Sequence, residues 1–376
     1  MTQPQQTVTR PTDDGFYMPA EWCRHARTWA AWPTTQSDSK DKFRALKNEL
    51  TPALKAIGGY EPVTVLARPN DRAEIIEQCG RHIDVLNIPH ISARLRDTGP
   101  TFLVDGKGGS AAVDWQFDGW AGQVESWDED AVLTHTLLGE TEIRRFRAPL
   151  TLEGTAFCGD GEGTLIAASS AAMRADRNQG VHKLDVFDIL SRWLGVTRVI
   201  WIDDCLGDDF SRGEIRRTCA FVAPGHVLVG QMSEDPFRST LDAIAERLAT
   251  AEDAQGRRLK VDRIPIVEVD GNFATYTSFY AFNQAVLVPQ YGLPSDITAA
   301  ATVGAFLPGR RVIKTQATEL IKSGASLSSL LQYQPARLLE RHKATLLPKS
   351  AWQQPAPDYI GLLDQYIERI EKEEDD

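Results

Sequence analysis

Five cysteines and seven histidines are the residues of this chain best suited to attack an electrophile, relay a proton or grip a soft metal. Cys23, Cys79, Cys158, Cys205 and Cys219 are odd in number and contain no CxxC pair, which fits reduced thiols better than a disulfide framework or a zinc site. The histidines show no HxH or HxxxH pairing, so neither a histidine-built metal site nor a cofactor is expected. Gly106-Lys107-Gly108-Gly109-Ser110 has the glycines of a phosphate loop without the GxxxxGK(S/T) spacing, and reads as a hairpin turn. Asp203, Asp204, Asp208 and Asp209 offer hard oxygen ligands, but their spacing matches no calcium loop and they read as a solvated acidic loop.

The formal net charge of -11 opposes loose association with nucleic acid or an anionic membrane surface, so neither is an expected partner. The start, MTQPQQTVTRPTDDG, lacks a basic segment followed by an apolar one, and no stretch is apolar for the length of a bilayer, so a cytoplasmic protein is expected.

Such side chains need a frame, and one pattern recurs along the body of the chain. Thr101-Phe102-Leu103-Val104 turns into Ala111-Ala112-Val113, and Thr155-Ala156-Phe157 turns into Leu165-Ile166. Cys219-Ala220-Phe221-Val222 turns at Pro224-Gly225 into Val227-Leu228-Val229, and Phe279-Tyr280-Ala281-Phe282 turns into Val286-Leu287-Val288. These are hairpins. Helical periods follow: Leu184, Phe187, Leu190 and Trp193 before Gly195, and Leu241, Ile244 and Leu248 on a second face. The later hairpins are roughly 55 to 60 residues apart, which predicts a closed ring of similar α/β units in a single domain. The boundaries expected are a disordered N-terminus over 1–14, the domain over 15–360, and an acidic tail over 361–376.

Met18-Pro19-Ala20-Glu21-Trp22, His25, Thr28-Trp29 and Trp32-Pro33 resemble the N-terminal signature of the agmatine deiminase family, which includes the bacterial peptidylarginine deiminase type. Arg96-Asp97-Thr98-Gly99-Pro100-Thr101, Phe117-Asp118-Gly119-Trp120, Leu152-Glu153-Gly154, Asp160-Gly161-Glu162-Gly163-Thr164 and Val288-Pro289-Gln290-Tyr291-Gly292 continue the likeness in family order. The resemblance implies the pentein fold, a five-bladed pseudo-fivefold propeller of ββαβ units with the active site at its centre, and it suggests a homodimer. It also implies a reaction: a Cys thiolate attacks a guanidinium carbon, a His relays protons, and two carboxylates hold the cation, turning agmatine into N-carbamoylputrescine and ammonia.

Carried over by position, the machinery differs here. Asp97 keeps one carboxylate. The family's Gly-His-Val-Asp-Asn segment reads Gly213-Glu214-Ile215-Arg216-Arg217, and its Gly-Gly-Asn-Ile-His-Cys segment aligns with Gly324-Ala325-Ser326-Leu327-Ser328-Ser329. Glu214 thus stands at the histidine, Arg216 at the second carboxylate and Ser329 at the nucleophile, and no Cys follows Cys219. Arg94 replaces a tryptophan common before the Arg-Asp pair. Serine needs a neighbouring base that a thiolate does not, so thiolate deimination is not expected. Exchanging a carboxylate for arginine shifts the local charge by two units, each worth roughly 3 kcal/mol at about 5 Å and an effective dielectric near 20.

The site residues expected are therefore Asp97, Glu214 and Ser329 for chemistry, with Arg216, Arg94, Trp120, Glu153 and Ser328 around the ligand and Arg217 as a further donor. Arg216 either binds an acidic ligand group or pairs internally with Asp97 or Glu214. Cys158 and Cys219 read as buried structural thiols, and Trp22, Trp29 and Trp32 as packing residues. Three functions stay open: a repurposed enzyme acting on an amino-acid-derived, carboxylate-bearing small molecule, a catalytically silent binding or regulatory subunit, and a deiminase still hydrolysing agmatine or arginine.

Overall fold

A computed structural model describes residues 9–34, 40–174, 176–203, 205 and 213–337. Runs such as Val63–Ala67 and Ala285–Gln290 are apolar without alternation and buried along their whole length. That is the signature of strands covered on both faces. Seventeen strands occur among the described residues. They are β1 (His25–Ala31), β2 (Val63–Ala67), β3 (Asp84–Asn87), β4 (Thr101–Val104), β5 (Ser110–Gln116), β6 (Arg144–Thr151), β7 (Phe157–Gly159), β8 (Thr164–Ala168), β9 (Arg198–Ile202), β10 (Cys219–Ala223), β11 (His226–Gln231), β12 (Lys260–Val269), β13 (Asn272–Thr275), β14 (Tyr280–Phe282), β15 (Ala285–Gln290), β16 (Arg311–Gln316) and β17 (Leu331–Pro335).

They form five sheets in the orders β17-β1-β2-β3, β4-β5-β6, β7-β8-β9, β10-β11-β12-β13 and β14-β15-β16. In each, an antiparallel pair is followed by a parallel neighbour across a helical connection, such as β8–β9 around Lys183–Leu194 and β11–β12 around Arg238–Thr250. The last described strand, β17, pairs antiparallel with the first, β1, with Tyr333 opposite Thr28, so the first and last strands share one blade and close the ring. This is the pentein architecture, and all four hairpins read from the sequence are present.

Two expectations change. Leu184 does not lie on the buried face of its helix. It is 80% exposed and Phe187 is half-buried, whereas the expected Leu190 and Trp193 are buried together with Val186 and Ile189. A repeat of three drifts round a helix of 3.6 residues per turn, so its first member leaves the face that its last members define. Residues 11–14, expected in a disordered N-terminus, form a 3-10 turn. Pro11 presets the backbone, Arg10 N donates to Asp13 Oδ2 (3.1 Å), and Thr12 Oγ1 donates to Arg192 O (2.9 Å). No helix among the described residues is long and apolar enough to cross a membrane. The tail expected over 361–376, with Asp204, Asp208 and Asp209 of the acidic cluster, lies outside the described residues.

Candidate active site

Each first strand of an antiparallel pair is entered through a short helical turn: Leu95–Thr98, Gly154–Ala156, Ile215–Arg217, Tyr276–Ser278 and Leu327–Leu330. All five are buried, and each touches its two neighbours, so together they make an inner ring. The approach is close. A Cβ on Gly154 would run into the carbonyl oxygen of Arg96. Asp97, Glu214, Ser328 and Ser329 lie on or directly before these turns, which is how residues far apart in sequence reach one centre.

Asp97 and Glu214 face a shared guanidinium. Arg94 Nε donates to Asp97 Oδ2 at 2.8 Å and Arg94 Nη2 to Glu214 Oε2 at 3.3 Å, while Arg94 Nη1 donates to Gly324 O at 2.9 Å. Its guanidinium carbon lies 5.2 Å from the ring centroid of Trp120, and Trp120 Nε1 donates to Asp97 Oδ2 at 3.2 Å. Trp120 and Ala121 carry positive φ of 57° and 62°, a strained backbone for residues with side chains. Asp118 holds this loop through Ala121 N, at 2.9 Å. Burial is the largest influence on the Arg94 guanidinium and pulls its pKa down, but Asp97 and Glu214 outweigh it and keep the group above its ordinary value.

Glu214 has further donors. Arg217 Nε reaches its Oε2 at 3.2 Å, and the hydroxyls of Ser326 and Ser328 donate to its Oε1, Ser328 at 3.3 Å. Thr155 Oγ1 donates to Asp97 Oδ1. The charges at the centre therefore balance as two carboxylates against two guanidiniums, all buried.

Ser329 is buried beside this cluster but spends its hydroxyl locally. Its Oγ donates to Ser326 O (2.9 Å) and accepts from Ser326 N (2.9 Å), closing a reciprocal cap on the turn. Among the described hydrogen bonds, Ser328 and Ser326 present hydroxyls to Glu214 and Ser329 does not. A hydroxyl–carboxylate pair exists, one residue earlier than the alignment places it.

Arg216 is not brought to Asp97 or Glu214. Two positions along a tight turn reverse the side-chain direction, and Arg216 pairs with Glu21 (Nη1 to Oε2, 3.3 Å) and donates from Nη2 to Phe279 O at 2.6 Å. Arg96 joins the same carboxylate at 2.7 Å. Burial alone would raise the Glu21 pKa, and Arg216 with Arg96 reverses this and holds it below the usual carboxylate range. The internal partner of Arg216 is thus Glu21, rather than Asp97 or Glu214. Glu153 is buried near the centre and held by Arg177, whose Nε and Nη2 also grip Asp118 at 3.0 and 2.9 Å. Sequence reasoning overlooked Arg177, which belongs to no recognisable spacing, while Thr155 and Ser326 stood in quoted segments without an assigned role. Glu21 and Arg96 stood inside quoted motifs without an assigned role.

A cavity of about 320 Å³ opens onto this centre, lined by Arg94, Trp120, Glu125, Asp130, Ala325 and Leu330. Asp130 Oδ1 accepts from Ile91 N at 2.9 Å, and burial pushes its carboxyl up to about 6. A larger groove of about 930 Å³ lies at the rim beside β3, and none of the central residues line it. Among the described residues no cluster of His, Cys, Asp and Glu could hold a metal ion.

Comparisons with known proteins carry the functional context. Residues 17–335 match the model of the Porphyromonas-type peptidyl-arginine deiminases. A putative agmatine deiminase of Legionella pneumophila strain Paris is 33% identical, with 87% of this chain and 97% of that protein covered. The agmatine deiminase of Stutzerimonas stutzeri is 31% identical over 88% of this chain and 98% of its own. The solved structure of the Enterococcus faecalis agmatine deiminase superposes with a TM-score of 0.83 at 26% identity, covering 89% of this chain and 100% of that one.

Proposed function

The chain belongs to the Porphyromonas-type peptidyl-arginine deiminase family together with the agmatine deiminases, and from that premise we propose that it is a non-deiminating member that binds an amino-acid-derived small molecule. One observation carries this reading: the guanidinium between the two central carboxylates is the chain's own, that of Arg94. A substrate guanidinium gripped there would have to expel Arg94 and leave a buried charge unpaired, at a cost of about 3–5 kcal/mol. That is a loss of roughly two to four orders of magnitude in affinity.

The nucleophile points the same way. No cysteine follows Cys219, and the Ser329 hydroxyl is held in its cap. In the cavity of about 320 Å³, Arg94 faces one side while Glu125 and Asp130 add carboxylates. A ligand with both a carboxylate and an amine, an amino acid in chemical terms, matches that lining and that size.

The test pairs product analysis with thermal shift. Agmatine and arginine are expected to release no ammonia and no ureido product, while an amino acid at a hundred times its dissociation constant adds about 2.7 kcal/mol of stability. A second reading, hydrolysis of agmatine, is favoured by the 33% identity to the Legionella protein across 87% of the chain. Ammonia with N-carbamoylputrescine from agmatine would establish that reading and overturn the first.

A further inference from the structure

Away from the Arg94 centre, a second group of buried charges does not balance. Arg96 (2.7 Å) and Arg216 (3.3 Å) share one carboxylate, that of Glu21, and all three residues are buried. Even with Glu21 ionised, one negative charge faces two positive ones. The neighbouring groups do not close the gap. Glu61 Oε1 lies 3.0 Å from His25 Nδ1 and accepts from Thr28 Oγ1 at 2.5 Å, while its Oε2 accepts from Asn283 N at 2.8 Å. Half-buried Arg310 lies within electrostatic reach of Glu21 and Glu61 and donates to two carbonyls, Phe282 O and Trp22 O. Two carboxylates thus stand against three guanidiniums, and His25 adds a further positive charge whenever it is protonated. The Arg94 centre, by contrast, sets two against two.

A small cavity of about 30 Å³ lies beside this group, with Arg216, Thr101 of β4, Cys158 of β7 and Gln332 of β17 in its lining. That volume is about the share of one water molecule in the liquid. Arg216 spends Nη1 on Glu21 and Nη2 on Phe279 O, and its buried Nε has no hydrogen-bond partner among the described residues. Buried polar groups are almost always paired. Thr101 Oγ1 accepts from Trp115 Nε1 at 2.9 Å, which leaves its own proton to donate. Gln332 Oε1 is also unpaired among the described residues, and as an acceptor it favours water. An uncompensated buried charge costs more than one neutral acceptor left unpaired, so the charge decides the occupant.

We propose that this cavity is a site for one monovalent inorganic anion of halide size, which accepts from Arg216 Nε and Thr101 Oγ1 and supplies the negative charge that Glu21 alone does not. Its volume excludes sulfate and organic carboxylates. Arg216 then both pairs internally and holds an anion, at a place separate from the cavity that Arg94 lines.

The experiment uses the full chain and sodium chloride as the probe. The protein is moved into sodium gluconate, chloride replaces gluconate at constant ionic strength, and thermal unfolding is followed. Once chloride passes its dissociation constant, each further tenfold should raise the midpoint by roughly 2 °C. In Arg216→Gln and in Thr101→Val the rise should shrink or vanish. Crystals of the wild type soaked in sodium bromide give a readout that needs no variant: an anomalous-scattering peak within hydrogen-bond distance of Arg216 Nε. Equal midpoints in chloride and gluconate would overturn the proposal, as would a water alone at that position. A bromide peak without any chloride dependence in solution would mark an adventitious ion only, and would overturn it too.

Discussion

Arg94 and Glu214 are 120 residues apart in sequence, yet the Nη2 of one lies 3.3 Å from the Oε2 of the other in the buried centre of the ring. Arg94 also holds Asp97, so one side chain occupies the space between two carboxylates. The resemblance to the agmatine deiminases implies two carboxylates around a substrate cation.

Glu214 is the node of that cluster. Glu214→Gln leaves Arg94 and Arg217 buried with one carboxylate fewer, and the expected loss is about 3–5 kcal/mol of unfolding free energy. Urea titration reads it as a lower midpoint with an unchanged slope. A loss below about 1 kcal/mol would mean that the arginines find other partners.

Restoring sulfur at the aligned position is not expected to restore chemistry. Ser329→Cys gives up the reciprocal cap with Ser326, at a cost of about 0.5–2 kcal/mol. The guanidinium position stays filled by Arg94, so ammonia release from agmatine remains at the buffer level. Turnover by this variant would show that the serine alone separates the chain from its deiminating relatives.

Asp130 makes stability fall as pH rises. Its folded pKa of about 6 lies above the ordinary value of 3.8, so the fold binds this proton more tightly than the unfolded chain. The contribution is complete below pH 3.8 and is lost as pH climbs through about 6, on the order of 3 kcal/mol in all. Denaturant unfolding across that window should show the slope in the wild type, and Asp130→Asn should flatten it.

The helix Lys183–Leu194 separates exposed from buried apolar residues. Leu184 is 80% exposed, so Leu184→Lys should change stability by no more than about 0.5 kcal/mol. Trp193 is fully buried, and Trp193→Ala should cost about 3–5 kcal/mol. Equal effects in denaturant titrations would mean that the face is misassigned.

The contrast along this helix shows what the sequence makes legible. The four hairpins could be read because apolar runs broken by Gly and Pro are a local signal, and β10–β11 and β14–β15 fall where those runs lie. Leu184 was misplaced because a three-residue repeat approximates the helical period over only a turn or two. The convergence of Asp97 and Glu214 could be anticipated from family position, but the direction of each side chain could not. Glu214, Arg216 and Arg217 occupy one tight turn, and its geometry sends Arg217 towards Glu214 and Arg216 towards Glu21. Arg177 on Glu153 and Ser326 on Glu214 depend on the ring being closed, and no spacing along the chain encodes them.

Removing the internal guanidinium tests whether it fills the substrate's place. Arg94→Ala vacates the space between Asp97 and Glu214 and over Trp120, and calorimetric titration with agmatine compares it with the wild type. The variant should bind agmatine at least a hundredfold more tightly than the wild type, from release of the roughly 3–5 kcal/mol that expelling Arg94 costs. Agmatine binding to the wild type as tight as to Arg94→Ala, or tighter, would contradict the account.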